Sequence, residues 1–93
     1  MSESFEWDEA KAAENYAKHG VSFETAIKVF RDPFGIERLD DRQDYGEERF
    51  ILIGTVEEVV ITVVYTERND RFRIISARRA TRHEQDDYFL ENE

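Results

Sequence analysis

Apolar residues fall along this chain in two rhythms, helical near the start and strand-like through the middle. Phe5 to Trp7 alternates apolar, polar, apolar, as a short edge strand does. Asp8 then offers an N-cap carboxylate to EAKAAENYAKH, an alanine-rich stretch that favours helix. Ala12, Ala13, Tyr16 and Ala17 form its expected apolar stripe. Gly20 is the expected left-handed stop, and Lys18 and His19 before it suit the negative end of a helix. Ser22 caps a second helix, Phe23 to Phe30 or Arg31, in which Phe23, Ala26, Ile27 and Phe30 recur at helical spacing. Pro33 stops that helix and pushes Asp32 toward an extended backbone.

The rhythm then changes. Phe34 to Leu39 reads as a weak strand, and the polar run from Asp40 to Glu48 reads as an exposed loop. Three stronger strands follow: Arg49 to Val56, Glu58 to Thr66, rich in β-branched residues, and Arg71 to Ala77. The turns between them are short, so they pair as an antiparallel meander. The near-continuous apolar runs FILI and VVITVV require a sheet covered on both faces. Thr81 followed by Glu84 is a capping box that opens a last helix running to about Leu90. The expected fold is α+β in the order β-α-α-β-β-β-β-α. Two N-terminal helices pack on one side of an antiparallel sheet, and the C-terminal helix lies elsewhere.

Composition narrows the function classes. Ninety-three residues suffice for one domain. There is no cysteine, so neither disulfides nor thiolate metal sites can form. The longest apolar run, Val59 to Tyr65, is far short of a bilayer span, and the acidic N-terminus lacks a signal core; a cytoplasmic protein is expected. The net charge of −9 is uneven. Arg68 to Arg82 holds six arginines against one aspartate, whereas His83 to Glu93 holds five carboxylates and no lysine or arginine. An acidic chain repels nucleic acid at long range, yet a local arginine block still binds phosphate within a Debye length, about 8 Å.

The sharpest local signal is RFRIISARRATRHE, residues 71–84. Alternation places Phe72, Ile74 and Ser76 on one side of the strand and Arg71, Arg73 and Ile75 on the other. Arg78, Arg79 and Arg82 then cluster between strand end and helix. Guanidinium forks fit phosphate oxygens, although they equally fit the many carboxylates of this chain.

Lys18-His19-Gly20-Val21, Asp32-Pro33, Glu48-Arg49-Phe50, Thr66-Glu67-Arg68 and Arg73 to Ala80 occur here in that order. Together with the aromatic-Asp start they resemble the BrnT family along almost the whole chain. The resemblance implies a RelE-like fold and metal-independent RNA cleavage without a cofactor. It also implies neutralisation by a BrnA-like antitoxin, with operator DNA bound only through the joint complex. RNA cleavage of this kind needs a base for the 2′-hydroxyl, charge for the phosphorane and an acid for the 5′-oxygen. Glu67, beside Arg68 at a strand end, is the candidate base, or else half of a turn salt bridge. Arg73, Arg78 and Arg49 are candidate phosphate clamps. His19 is a candidate acid, or else a helix-end complement. Lys18 is placed to touch phosphate or to donate the proton. His83 could approach the arginines, and Tyr88 is expected to pack on the sheet, or else to stack on a base. Asp40, Asp41 and Asp44 lack the spacing of a calcium loop, and no paired His or Cys spacing suggests a metal. A second reading is a catalytically weak module that holds an antitoxin and acts mainly as a transcriptional co-repressor.

Overall fold

A computed structural model describes residues 4–93. The elements follow the expected order: β1 (Phe5–Glu6), α1 (Glu9–His19), α2 (Phe23–Val29), β2 (Ile36–Asp40), β3 (Arg49–Val56), β4 (Val59–Arg68), β5 (Arg71–Arg79) and α3 (Arg82–Glu91). The fold is α+β, with one five-stranded sheet in the order β1-β5-β4-β3-β2. All neighbours are antiparallel except β1, which runs parallel to β5 through Phe5–Phe72 and Glu6–Arg73.

Local chemistry places the helix ends where the sequence puts them. The Asp8 carboxylate accepts from the Lys11 N–H at 3.1 Å, and Gly20 closes α1 at φ 71°. The Ser22 hydroxyl accepts from the Thr25 N–H at 3.0 Å. Thr81 and Glu84 form the reciprocal capping box. β4 and β5 run two residues further than the sequence suggests, to Arg68 and Arg79. Arg78 therefore sits within a strand rather than between strand and helix. The two-residue turn Asn69-Asp70 suits this, because both residues tolerate the positive φ of 51° and 63° they adopt.

The sheet has two unlike faces. On one, Phe23, Ala26 and Val29 of α2 pack against Leu52, Ile61, Val63, Tyr65, Ile74 and Ala77, with Phe5, Phe30 and Phe72 around them. On the other, α3 buries Tyr88 over Ile53, Val60 and Ala80, with Ile36 and Ile51 alongside. Tyr88 thus packs as expected. Its hydroxyl donates to Asp32 at 2.5 Å, and the same carboxylate oxygen accepts from the Thr55 N–H at 2.7 Å. Burial works to raise the Asp32 pKa, and these donors outweigh it and lower the pKa. One carboxylate therefore ties together the end of α2, β3 and α3.

Two expectations about faces are corrected. The apolar stripe of α1 is not Ala13, Tyr16 and Ala17, which are exposed, Tyr16 by 59%. The helix instead turns Ala12 and the buried Asn15 inward. The reason is polar: Asn15 Nδ2 donates to the Ala77 carbonyl at 2.8 Å and to the Val21 carbonyl at 3.0 Å, and its Oδ1 accepts from the Ala77 N–H at 3.2 Å. The side-chain amide thus takes the place of a missing strand along β5. The second correction concerns β5. Tyr65 pairs with Ile74 but Val64 pairs with Ser76, so Ile75 is a β-bulge. The extra residue reverses the alternation, taking Ser76 off the Phe72 and Ile74 face and setting Ala77 there instead.

Candidate functional site

Register decides which candidates share a face. Arg73 pairs with Thr66 on one side and Glu6 on the other, and Arg49 pairs with Asp40. Phe50 pairs with Tyr65, so Arg49, one step earlier, lies level with Thr66. Asp40, Arg49, Thr66, Arg73 and Glu6 therefore cross the sheet as one row on the face opposite α1 and α2. Strands are spaced by about 4.8 Å, so the Arg49 and Arg73 backbones are roughly 10 Å apart, and a phosphate could be held between the two guanidinium groups. α3 covers the other end of this face, and the segment before β3 lies over the middle of the row, where the buried Thr66 hydroxyl donates to the Glu48 carbonyl at 2.6 Å, so that Arg49 and Arg73 are each about a quarter exposed.

Each arginine is positioned by a partner. The Arg73 guanidinium donates to Glu6 at 2.7 Å, both side chains about a quarter exposed. Arg49 lies over the Tyr45 ring at 4.0 Å. Its Nε is buried and has no hydrogen-bond partner among the described residues; the Glu47 carboxylate oxygen beside it is 3.7 Å away. Asp40, expected in a solvated loop, is buried at the end of the row. Bonds from the Arg42 guanidinium at 2.8 Å and from the Tyr45 hydroxyl at 3.2 Å hold its pKa down at about 2.

Arg78 is on the same face but level with Thr62, four residues along β4 and roughly 13 Å from the row. It lies against α3, where it makes two bonds to Glu84 at 2.6 and 2.9 Å. The same carboxylate accepts from the Thr62 hydroxyl and the Thr81 N–H, so Arg78 is part of the joint that fixes α3. Glu67 pairs with Phe72 and faces the other side of the sheet, beside Glu47, Glu48 and Phe50. It does not meet the arginines. His83 is 86% exposed and lies 3.5 Å from Asp87.

Lys18 and His19 do come together with β5. β1 covers that strand's edge only at Phe72 and Arg73, and beyond it the Asn15 amide covers the edge at Ala77. A cleft of about 250 Å³ lies there, lined by Lys11, Glu14, Asn15, Lys18, His19, Ile75 and Ser76. The bulge turns Ser76 toward this cleft, three residues along the strand from Arg73. Sequence reasoning missed Asn15 and Ser76. The available signal for Asn15 was a lone amide on the line of Ala12 and His19 in an alanine-rich helix. The bulge left none.

The site can thus offer two spaced guanidinium groups, a hydroxyl, an imidazole and two ammonium groups to an anionic substrate, against the one carboxylate of Glu14 in the cleft. Among the described residues, no three His, Asp or Glu side chains group as a metal site, and no helix is long and apolar enough to cross a membrane. No curated protein sequence matches the chain. A family model does match: ribonuclease toxin, BrnT, of type II toxin–antitoxin systems, over residues 7–84, from Trp7 through the arginine block to Glu84. The chain belongs to the BrnT family of ribonuclease toxins.

Proposed function

We propose that this chain, as one domain, is a metal-independent endoribonuclease that cleaves RNA and so inhibits translation. A BrnA-like antitoxin neutralises it, and operator DNA is contacted only through that complex. It acts in the cytoplasm, where its RNA substrate is. The observation that carries this reading is the row that sets Arg49 and Arg73, each about a quarter exposed, on one sheet face beside the Ser76 cleft.

In this reading Arg49 and Arg73 hold the non-bridging oxygens of the scissile phosphate. The 2′-oxygen attacks phosphorus as its proton passes to solvent water, and a 2′,3′-cyclic phosphate forms as the bond to the 5′-oxygen breaks. His19 carries the proton to that leaving oxygen, and Lys18 stabilises the charge on the phosphorane. General acid catalysis contributes typically 10²–10⁴-fold, and fixed positive charge a similar factor. Arg78 acts at one remove, by holding α3 off the row.

The test is cleavage of RNA by the purified chain at low salt in the presence of EDTA, with growth arrest on expression and relief by the antitoxin. Arg73→Ala and His19→Ala are expected to lower cleavage more than tenfold while far-UV circular dichroism stays unchanged. Intact RNA after incubation with the folded parent overturns the proposal. One observation favours a second reading: Arg49, Arg68, Arg73 and Arg78 each already lie within 4 Å of a carboxylate of this chain. A weakly catalytic, antitoxin-holding co-repressor is compatible with that. It predicts tight antitoxin binding, altered retardation of operator DNA on adding this chain, and no RNA turnover.

A further inference from the structure

A second cleft, of about 220 Å³, opens where the α1–α2 turn meets the end of the β3–β4 hairpin. Its lining includes Lys28 of α2, Arg79 of β5 and Thr25. Both cations are exposed, and among the described residues neither has a carboxylate within 4 Å. That separates them from Arg49, Arg73 and Arg78, whose charges are matched inside the chain. The floor is apolar: Ile61 is buried, and Val59 stays 38% exposed at the cleft. The cleft is smaller than a drug-sized pocket, which begins near about 300 Å³, and suits one nucleotide unit.

The hairpin at its mouth is strained. Glu57 and Glu58 occupy the two-residue turn at φ 49° and 71°, a region asparagine and glycine adopt readily and glutamate does not. Glu57 thereby lines the cleft as its only acidic group among the described residues, leaving one net positive charge there. The two clefts are neighbours. Lys18 and His19 line the first and Gly20 and Val21 the second, while β5 runs from Ser76 in the first to Arg79 in the second.

We propose that this cleft is a distal subsite for a nucleotide several units along the strand from the cleaved bond, because Arg79 lies five residues along the sheet from Arg73, roughly 16 Å, and on its other face. Lys28 and Arg79 hold its phosphate, and its sugar and base lie over Val59 and Ile61. The inference rests on the ribonuclease reading and extends it: the RNA backbone passes from the arginine row, around the edge of β5, to the end of the sheet.

The test is the binding of a ten-nucleotide, mixed-sequence 2′-O-methyl RNA, which has no free 2′-hydroxyl and cannot be cleaved. Its affinity is measured by fluorescence anisotropy across a range of salt concentrations. Lys28→Ala with Arg79→Ala is expected to weaken binding at least tenfold. It should also flatten the slope of log affinity against log salt by about 0.7, the value for one phosphate of a single strand that is no longer neutralised. The charge-keeping pair Lys28→Arg with Arg79→Lys should bind as the parent does. Glu57→Asn, which keeps the turn and removes the opposing charge, should bind more tightly. Thermal melting checks that all variants fold. Unchanged affinity and slope in the double alanine variant overturn the subsite, as does failure of the parent to bind the oligonucleotide. Cleavage of unmodified RNA by the parent is scored separately, so the ribonuclease reading can stand while the subsite falls.

Discussion

Replacing Glu84 with glutamine isolates a single charge at the joint between sheet and α3. Burial works to raise the pKa of this carboxyl. The Arg78 guanidinium, the Thr81 N–H and the Thr62 hydroxyl overcome that and hold it at about 2, against an ordinary 4.5. That difference corresponds to about 3 kcal/mol at 1.36 kcal/mol per pKa unit. Its side chain is 16% exposed, so solvent screening reduces the expected contribution to about 2 kcal/mol. The folded pKa is the depressed one, so this stabilisation is present above the unfolded pKa of 4.5 and is lost as pH falls through about 2. Glutamine retains the capping-box geometry but does not ionise. The parent should therefore exceed Glu84→Gln in stability by about 2 kcal/mol at pH 7, by roughly 40% of that at pH 3, and by roughly a tenth of it at pH 2. Urea unfolding of both proteins, followed by circular dichroism at each pH, measures the difference. A gap that is constant with pH, or that widens toward acid, would refute the assignment of the charge to this joint.

Two further substitutions probe the frame of the site. Asn15→Ala removes three hydrogen bonds and leaves both polar groups of Ala77 without their partner; a loss of about 3 kcal/mol and a fall in melting temperature on the order of 15 °C are expected. A loss below about 1 kcal/mol in urea unfolding would mean that water replaces the amide. Gly54→Ala puts a methyl 3.0 Å from Val29 Cγ1 and 3.2 Å from Asp32 Oδ2, so it should cost about 1–3 kcal/mol by overpacking; an unchanged urea midpoint would show that α2 can move away.

The helices and strands were legible because their signals are local. Asp8, Ser22 and Thr81 each bond a backbone N–H three residues on, and any reader of the sequence meets both partners together. The faces were less legible because they depend on distant partners. The inward side of α1 is set by Asn15 meeting Ala77, 62 residues away, against a composition that favours Tyr16. The bulge at Ile75 comes from the β4–β5 register and reverses the predicted side of Ser76. Arg49, Arg73 and Arg78 were legible as a charged group, but not which of them share a row. Arg73 lies level with Arg49 through Thr66, while Arg78 lies four residues away under α3.

The arginines are unequally available to RNA, and this can be measured. A phosphate that binds Arg73 has to displace Glu6, a single carboxylate on a two-residue strand, in a pair about a quarter exposed on both sides. Such pairs are worth under about 1 kcal/mol, so the exchange costs little. A phosphate that binds Arg78 has to break two bonds to a carboxylate that also holds Thr62 and Thr81, and so loosens α3. Arg73 is thus the exchangeable clamp, and Arg78 is committed to structure. Glu6→Gln should then tighten binding of uncleavable RNA by about two- to tenfold, equivalent to roughly 0.4–1.4 kcal/mol, with little change in stability. Glu84→Gln should lower stability by about 2 kcal/mol without tightening binding comparably. If Glu84→Gln tightens RNA binding more than Glu6→Gln does, Arg78 rather than Arg73 is the residue that meets the phosphate. The site would then lie under α3, and the helix would have to move aside for RNA to enter.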